Sequence, residues 1–202
     1  MIDVVVCEYG AGNVRSVIVA LRRLGIEAKT TEEGDEVIAA DLAILPGVGA
    51  AGSAMRGLKE RGLDEALGDR VEVGRPTLGI CLGLQLAVEH SDEDEGVTGL
   101  GILPGRASLI RQGRVPRIGW ARVEPGDEAF YFAHSYAVET SAAVGYSEGI
   151  VAEAALGSFV GVQFHPEKSG NAGRRFLERH IDRVVSWKAN SNGVPVSGTR
   201  RR

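Results

Sequence analysis

Thr77-Leu-Gly-Ile-Cys-Leu-Gly83 is the stretch whose reading decides the fold. Leu78 to Ile80 is an apolar run of the kind that ends a buried strand, and Cys81 follows at once. Gly79 and Gly83 stand two residues to either side, and Leu84, Leu86, Ala87 and Val88 continue as a helical pattern. Gly-x-Cys-x-Gly is the thiol version of the nucleophile elbow, a sharp strand-to-helix turn. Such a turn needs small neighbours, because the nucleophile's backbone is strained and other chain passes close by. It also places the sulfur at a helix N-terminus, where free N–H groups favour thiolate over thiol. The bland alternative is a structural cysteine between two packing glycines, and the rest of the chain has to decide between them.

Upstream, Ile2–Val6 is a continuous β-branched run, as expected for a strand buried on both faces of a parallel sheet. Val14, Val17, Ile18, Leu21 and Leu24 recur at helical spacing behind Asn13, an N-cap candidate. Gly25 ends that helix, and residues 26–30 read as a second strand. A third, Asp41-Leu-Ala-Ile-Leu45, runs into Pro46-Gly-Val-Gly49, a loop with unusual backbone freedom. Two short helices are expected up to Leu67, before the elbow strand and its helix, which is expected to end near Glu89. The order β-α-β-β-α-β-α predicts a doubly wound, mostly parallel α/β sheet. Beyond Gly101 the pattern changes to short strands around 106–112, 118–123, 130–134, 143–147, 150–155 and 158–164. These are expected as mixed or antiparallel strands added to one edge. A last amphipathic helix is predicted over 171–187, with Ser169 in its N-cap region. Residues 1–188 read as a single domain and 189–202, polar and ending in three arginines, as a disordered tail.

With 202 residues, 44% apolar and 25% charged, the composition is that of an ordinary globular domain. The net charge of −4 gives no reason to expect nucleic acid or an anionic membrane as partner. The apolar stretches near 42–55 and 76–88 are broken by Pro and Gly and too short to span a bilayer. The N-terminus lacks the pattern of a signal peptide. Two cysteines, Cys7 and Cys81, make no disulfide framework, so a cytoplasmic location is expected. The acidic run Ser91-Asp-Glu-Asp-Glu95 reads as a solvated loop. No cluster has metal-ligand spacing, and no metal or cofactor is expected. Tyr9-Gly-Ala-Gly-Asn13 is only half of a dinucleotide fingerprint.

A cysteine nucleophile needs a base, and the base needs an orienting group. Of the four histidines, His90 is expected on the elbow helix, roughly 13 Å along its axis and out of reach. His180 falls on the packing side of the last helix. His134 and His165 each follow a strand. His165 is favoured because Pro166 holds it extended and Glu167, two residues on, projects the same way. Pro46-Gly-Val-Gly49, with the amide of Leu82, could supply an oxyanion hole.

These motifs resemble the class I, triad-type glutamine amidotransferases. Gly79-Ile-Cys-Leu-Gly-Leu-Gln85 resembles the nucleophile segment and Phe164-His-Pro-Glu167 the His–Glu segment. Tyr9-Gly-Ala-Gly-Asn-Val-Arg-Ser-Val17, Leu45-Pro-Gly-Val-Gly49, Gly101-Ile-Leu-Pro-Gly105, Val115-Pro-Arg-Ile-Gly-Trp120, Tyr131-Phe-Ala-His-Ser-Tyr136 and Gly161-Val-Gln-Phe-His-Pro-Glu-Lys-Ser169 are similar to the glutaminase subunits of imidazole glycerol phosphate synthases. The resemblance runs from about residue 2 to 187.

It implies a class I amidotransferase fold and the following roles. Cys81 attacks glutamine, His165 moves the proton and Glu167 orients it. Gly47, Val48, Gly49 and Leu82 provide backbone contacts, and Gln85, His134, Ser135 and Tyr136 hold the substrate. Ammonia passes to a (β/α)8-barrel cyclase in a heterodimer, with Asn13, Arg15 and Lys168 near the subunit interface. The chain departs from many members at Arg117, where they have histidine, and at Ala50, where they have a bulkier residue. Competing readings are a glutaminase of another biosynthetic system, a free-standing thiol hydrolase, and a binding subunit without activity.

Overall fold

The computed structural model describes residues 2–191. Its centre is a seven-stranded sheet in the order β11-β12-β13-β4-β3-β1-β2. Four of these strands come from the first half: β1 (Val4–Cys7), β2 (Ala28–Thr31), β3 (Leu42–Leu45) and β4 (Thr77–Ile80). They are all parallel, and β1, β3 and β4 are buried along their whole length. Burial on both faces explains their unbroken apolar sequences. Val4, Val6, Ile44, Leu78 and Ile80 pack to one side, while Val5, Cys7, Ala43 and Leu45 pack to the other. The alternation follows from the period of two along a strand.

The helices are α1 (Val14–Arg22), α2 (Gly34–Ala39), α3 (Ala51–Glu60), α4 (Leu63–Glu72), α5 (Leu82–Ala87) and α6 (Gly170–Ser191). The short α2 interrupts what reads as two consecutive strands and supplies the crossover that carries the chain from β2 to β3, on the other side of β1, with both strands parallel. Helix α6 runs through residues 189–191, past the expected domain end at 188. The rest of the expected disordered tail lies outside the described residues. No helix among the described residues is long and apolar enough to cross a membrane.

The second half departs from a simple edge extension. Only β11 (Ala143–Ser147) and β12 (Ile150–Leu156) are antiparallel additions to the main sheet. β13 (Phe159–Val162), the parallel member of this mixed set, lies beside β4, with Gly161 opposite Gly79 and Val162 opposite Ile80. A separate four-stranded sheet, β10-β7-β5-β6, joins β5 (Val88–Ser91), β6 (Val97–Thr98), β7 (Leu103–Leu109) and β10 (Tyr136–Glu139). β8 (Arg117–Arg122) and β9 (Ala129–His134) form their own antiparallel pair. Stacked Phe130 and Phe164, with ring centroids 4.0 Å apart, join that pair to the end of β13, and Phe176 of α6 meets Phe164 edge-on.

His90 is therefore not on the elbow helix. α5 stops at Ala87, and His90 sits in β5, because Val88 pairs with Leu103 of β7. Ser169 does not cap α6 through its side chain. Its hydroxyl donates to the His165 carbonyl at 2.6 Å and accepts the Tyr131 N–H at 2.9 Å, fastening the His165 segment to β9. Asn13 does precede α1, but its side-chain oxygen accepts from the Ser16 hydroxyl rather than from a helix N–H.

Candidate active site

The sheet register assembles the site. Because β4 and β13 run parallel and in step, the residues just past their C-terminal ends lie side by side. The Cys81 N–H donates to the Val162 carbonyl at 2.7 Å, and His165 follows three residues later. Cys81 has φ 53° and ψ −104°, outside the left-handed well that non-glycine residues tolerate. Its strained turn fits only because Gly83 is a glycine: a Cβ there would come within 2.0 Å of the Leu45 carbonyl oxygen. Leu84 and Gln85 N–H groups return to the Cys81 carbonyl and start α5.

His165 is extended (φ −100°, ψ 93°) and Glu167 lies in the following 3-10 turn, Pro166–Lys168. The imidazole Nδ1 is 2.9 Å from Glu167 Oε1, with both side chains 2% exposed. Burial works against a charge on His165. Hydrogen bonds and charge from Cys81 and Glu167 outweigh it and raise its pKa to about 9. The ring is thus an imidazolium at neutral pH, oriented by the Glu167 carboxylate, with Cys81 as the other group that favours its charge. The contact between His165 and Glu167 joins two residues that stand two apart in the chain.

A pocket of about 230 Å³ opens over the sulfur. It is smaller than the cavities that take drug-sized ligands and fits a single amino acid. Val48, Gly49, Leu82, Gln85, His134, Ser135 and Tyr136, to which the resemblance assigns substrate contacts, line it. Gly47 does not. It is buried beneath the elbow, where a Cβ would stand 2.5 Å from Leu82 Cβ, so close approach rather than backbone freedom requires glycine there. Freedom belongs to Gly49, at φ 113° with open space around it. The Tyr9 phenol donates to the Pro46 carbonyl and holds the root of this loop.

Two further residues belong to the site and were not singled out by sequence. Gln163 is fully buried; its amide nitrogen lies 3.6 Å from Cys81 Sγ, and its oxygen accepts from Gln85 Nε2 at 3.2 Å. Glu93 lines the pocket. The acidic run is thus no mere solvated loop: Glu93 Oε2 accepts the Ala51 N–H at 2.9 Å and Asp94 Oδ2 the Gly52 N–H at 3.0 Å, capping α3. Burial raises the Glu93 pKa, against the Ala51 hydrogen bond, and Asp94 adds to the rise. The signal for this was faint, a run of acids 42 positions from the helix start it caps.

The candidate interface residues fall nearby but outside the pocket. Asn13 and Arg15 open α1, which packs on the turn carrying the exposed Lys168.

Residues 5–184 match the model of the family described as glutamine amidotransferase class-I. The chain is 41% identical over 195 residues to imidazole glycerol phosphate synthase subunit HisH of Symbiobacterium thermophilum, covering 88% of this chain and 92% of that one. It is equally identical to the HisH subunit of Methanothermobacter thermautotrophicus, covering 89% and 98%. To the chloroplastic imidazole glycerol phosphate synthase hisHF of Arabidopsis thaliana it is 40% identical, covering 88% of this chain but 34% of the longer plant protein. Among solved structures, a glutamine amidotransferase superposes with a TM-score of 0.75 at 20% identity, over 90% of this chain and 98% of that one. At that identity the likeness speaks for the fold. The chain belongs to the class I glutamine amidotransferases and, within them, to the family of HisH subunits of imidazole glycerol phosphate synthase.

Proposed function

We propose that this chain hydrolyses glutamine through Cys81, His165 and Glu167 and delivers the ammonia to a cyclase subunit in histidine biosynthesis. The observation that carries the reading is Cys81 on a strained elbow in the lining of a pocket sized for one amino acid, with the His165–Glu167 pair, 2.9 Å apart, acting on its sulfur.

The Cys81 thiolate attacks the side-chain amide carbon of glutamine. Negative charge collects on the carbonyl oxygen, which Leu82 and the Pro46–Gly49 loop meet with backbone N–H groups. The His165 imidazolium gives its proton to the leaving nitrogen, so ammonia departs and a γ-glutamyl thioester remains. Neutral His165 then takes a proton from water, whose oxygen attacks the thioester. Cys81 leaves as thiolate and glutamate is released. Glu167 holds the ring through Nδ1 and stabilises its cationic form. Glu93 is the pocket's carboxylate and meets the substrate's ammonium, while Gln85 and the 134–136 segment form the wall.

The partner is a (β/α)8-barrel cyclase, and the assembly is a cytoplasmic heterodimer. Ile118 and Trp120, 64% and 58% exposed on β8, give the pocket side of the molecule an apolar surface for it. Asn13, Arg15 and Lys168 add polar contacts. Steady-state glutamate release from the chain alone, with cyclase, and with cyclase plus its substrate tests the assignment. Stimulation by orders of magnitude is expected. Cys81→Ala should abolish glutamine-dependent synthesis and spare synthesis from ammonium salts. Glutamine use by Cys81→Ala would overturn the assignment.

A further inference from the structure

Arg117 opens β8 and lies directly opposite His134 in the β8–β9 register. Opposite residues of an antiparallel pair project to the same face. Phe132, two residues before His134, shares that face. The guanidinium carbon stands 4.2 Å from the Phe132 ring centroid, and the Phe132 and His134 rings are 5.8 Å apart. At 12% side-chain exposure, Arg117 is not a solvated surface cation. Its Nη2 donates to the Ser147 hydroxyl at 2.7 Å and to Glu148 Oε2 at 3.0 Å. Its Nη1 is buried and has no hydrogen-bond partner.

His134 carries the complementary defect. Its Nδ1 is 2.8 Å from the Tyr136 carbonyl oxygen. A carbonyl can only accept, so Nδ1 holds the proton and Nε2 is a bare acceptor. Nε2 is also buried and without a partner. A buried orphan donor and a buried orphan acceptor thus occupy facing positions on one side of a two-stranded ribbon. Each alone costs the desolvation of a polar group, and one contact between them, direct or through a single water, would remove both costs.

The geometry points to Arg117 as a positioning residue of the glutamine pocket: its free Nη1–H serves His134 Nε2, directly or through one water, and fixes the neutral Nδ1–H tautomer that holds the Tyr136 carbonyl. The role rests on the glutaminase reading above. The same Tyr136 carbonyl accepts from Gln85 Nε2 at 2.8 Å. Gln85 bonds Gln163, and Gln163 lies against Cys81 Sγ. Arg117 therefore acts on the nucleophile's surroundings through His134 and touches no reacting atom. A fixed cation facing Nε2 also opposes a second proton on the ring. Burial lowers the His134 pKa to about 4; the Tyr136 hydrogen bond opposes this, and Arg117 and His165 add to the fall. These are the cations of β8 and of the segment after β13 that act on it, and Cys81 and Glu93 share its pocket.

The test is histidine side-chain nitrogen spectroscopy on the full-length, 15N-labelled chain, with His134→Asn to assign the signal. Wild type should show one protonated and one bare nitrogen, titrating near pH 4. Arg117→Met keeps the stacking on Phe132 but loses donors and charge. It should mix the two tautomers, raise the midpoint by a unit or more, and raise the KM for glutamine several-fold with a smaller change in kcat. Arg117→Lys, which restores charge, should bring the midpoint most of the way back. Arg117→Gln, which keeps a donor, serves if the methionine variant does not fold. An unchanged tautomer and midpoint in a folded Arg117 variant overturns the role. The spectroscopic result stands apart from any outcome of the glutaminase assay.

Discussion

Replacing Cys81 by glycine should stabilise the protein relative to replacing it by alanine, the reverse of what most positions show. Alanine keeps the Cβ, so it keeps the clash that makes φ 53°, ψ −104° unfavourable. Such conformations cost about 1–3 kcal/mol, and a ψ outside the left-handed well puts this one towards the upper end. Glycine removes that cost. Two effects oppose it. A Cβ in a site that is 5% exposed is worth about 0.8 kcal/mol of burial. Glycine's extra freedom in the unfolded chain is worth about 0.7 kcal/mol. The balance leaves Cys81→Gly about 1 kcal/mol more stable than Cys81→Ala, or about 3 °C in Tm for a chain of this size. Urea unfolding of the two variants, with equal m-values, measures the difference, and both should be without glutaminase activity. An alanine variant as stable as the glycine variant, or more so, would refute the claim that the elbow stores strain.

Glu167→Gln should lower kcat at least about a hundredfold and leave KM nearly unchanged, since it disturbs tautomer and charge rather than the pocket; single-turnover glutamate release reads this. His165, raised to about 9, must keep its proton to protonate the leaving amide nitrogen. The alkaline limb of kcat/KM should therefore fall with an apparent pKa near 9 that belongs to the His165–Cys81 pair. The corresponding stability is fully present below about 6.5 and is lost as pH rises through 9. His180 shows the opposite sign: burial, then Arg183, lower its pKa to about 4, so the unfolded chain binds the proton first. Stability should decline as pH drops from about 6.5 towards 4, and His180→Leu should flatten part of that decline in chemical melts. Tyr9→Phe removes the hydrogen bond to the Pro46 carbonyl and should cost about 1 kcal/mol of stability and lower kcat more than it raises KM.

The parts of the site that sequence reveals are those built from neighbours in the chain. Gly79 to Gly83 encodes a turn in five residues, and His165 and Glu167 meet because they are two apart. The parallel sheet is legible because strands buried on both faces, such as Val4–Cys7 and Leu42–Leu45, carry unbroken apolar runs. The rest depends on distant pairing. Val88 continues an apolar helical pattern, and Val88–Ser91 becomes a strand only because β7 lies beside it. Glu93 looks like any surface acid until it meets the Ala51 N–H. Gln163 reads as a strand residue until β13 is known to end next to the elbow. Arg117 stands out in sequence only as a departure from relatives. Its packing over Phe132 and its facing position to His134 follow from the β8–β9 register.

The loop beside the nucleophile is anchored at both ends, by Tyr9 on the Pro46 carbonyl and by Glu93 on the Ala51 N–H. Gly47 is wedged under Leu82, so rotation is confined to the peptides around Val48 and Gly49. The second anchor is also a wall of the pocket. If Glu93 meets the substrate's ammonium as proposed, that ammonium and the Ala51 amide share one carboxylate. Pocket occupancy and loop tension are then linked quantities, and linkage runs both ways. Whatever tightens or slackens the loop from outside must change the affinity for glutamine by the same factor with which glutamine biases the loop.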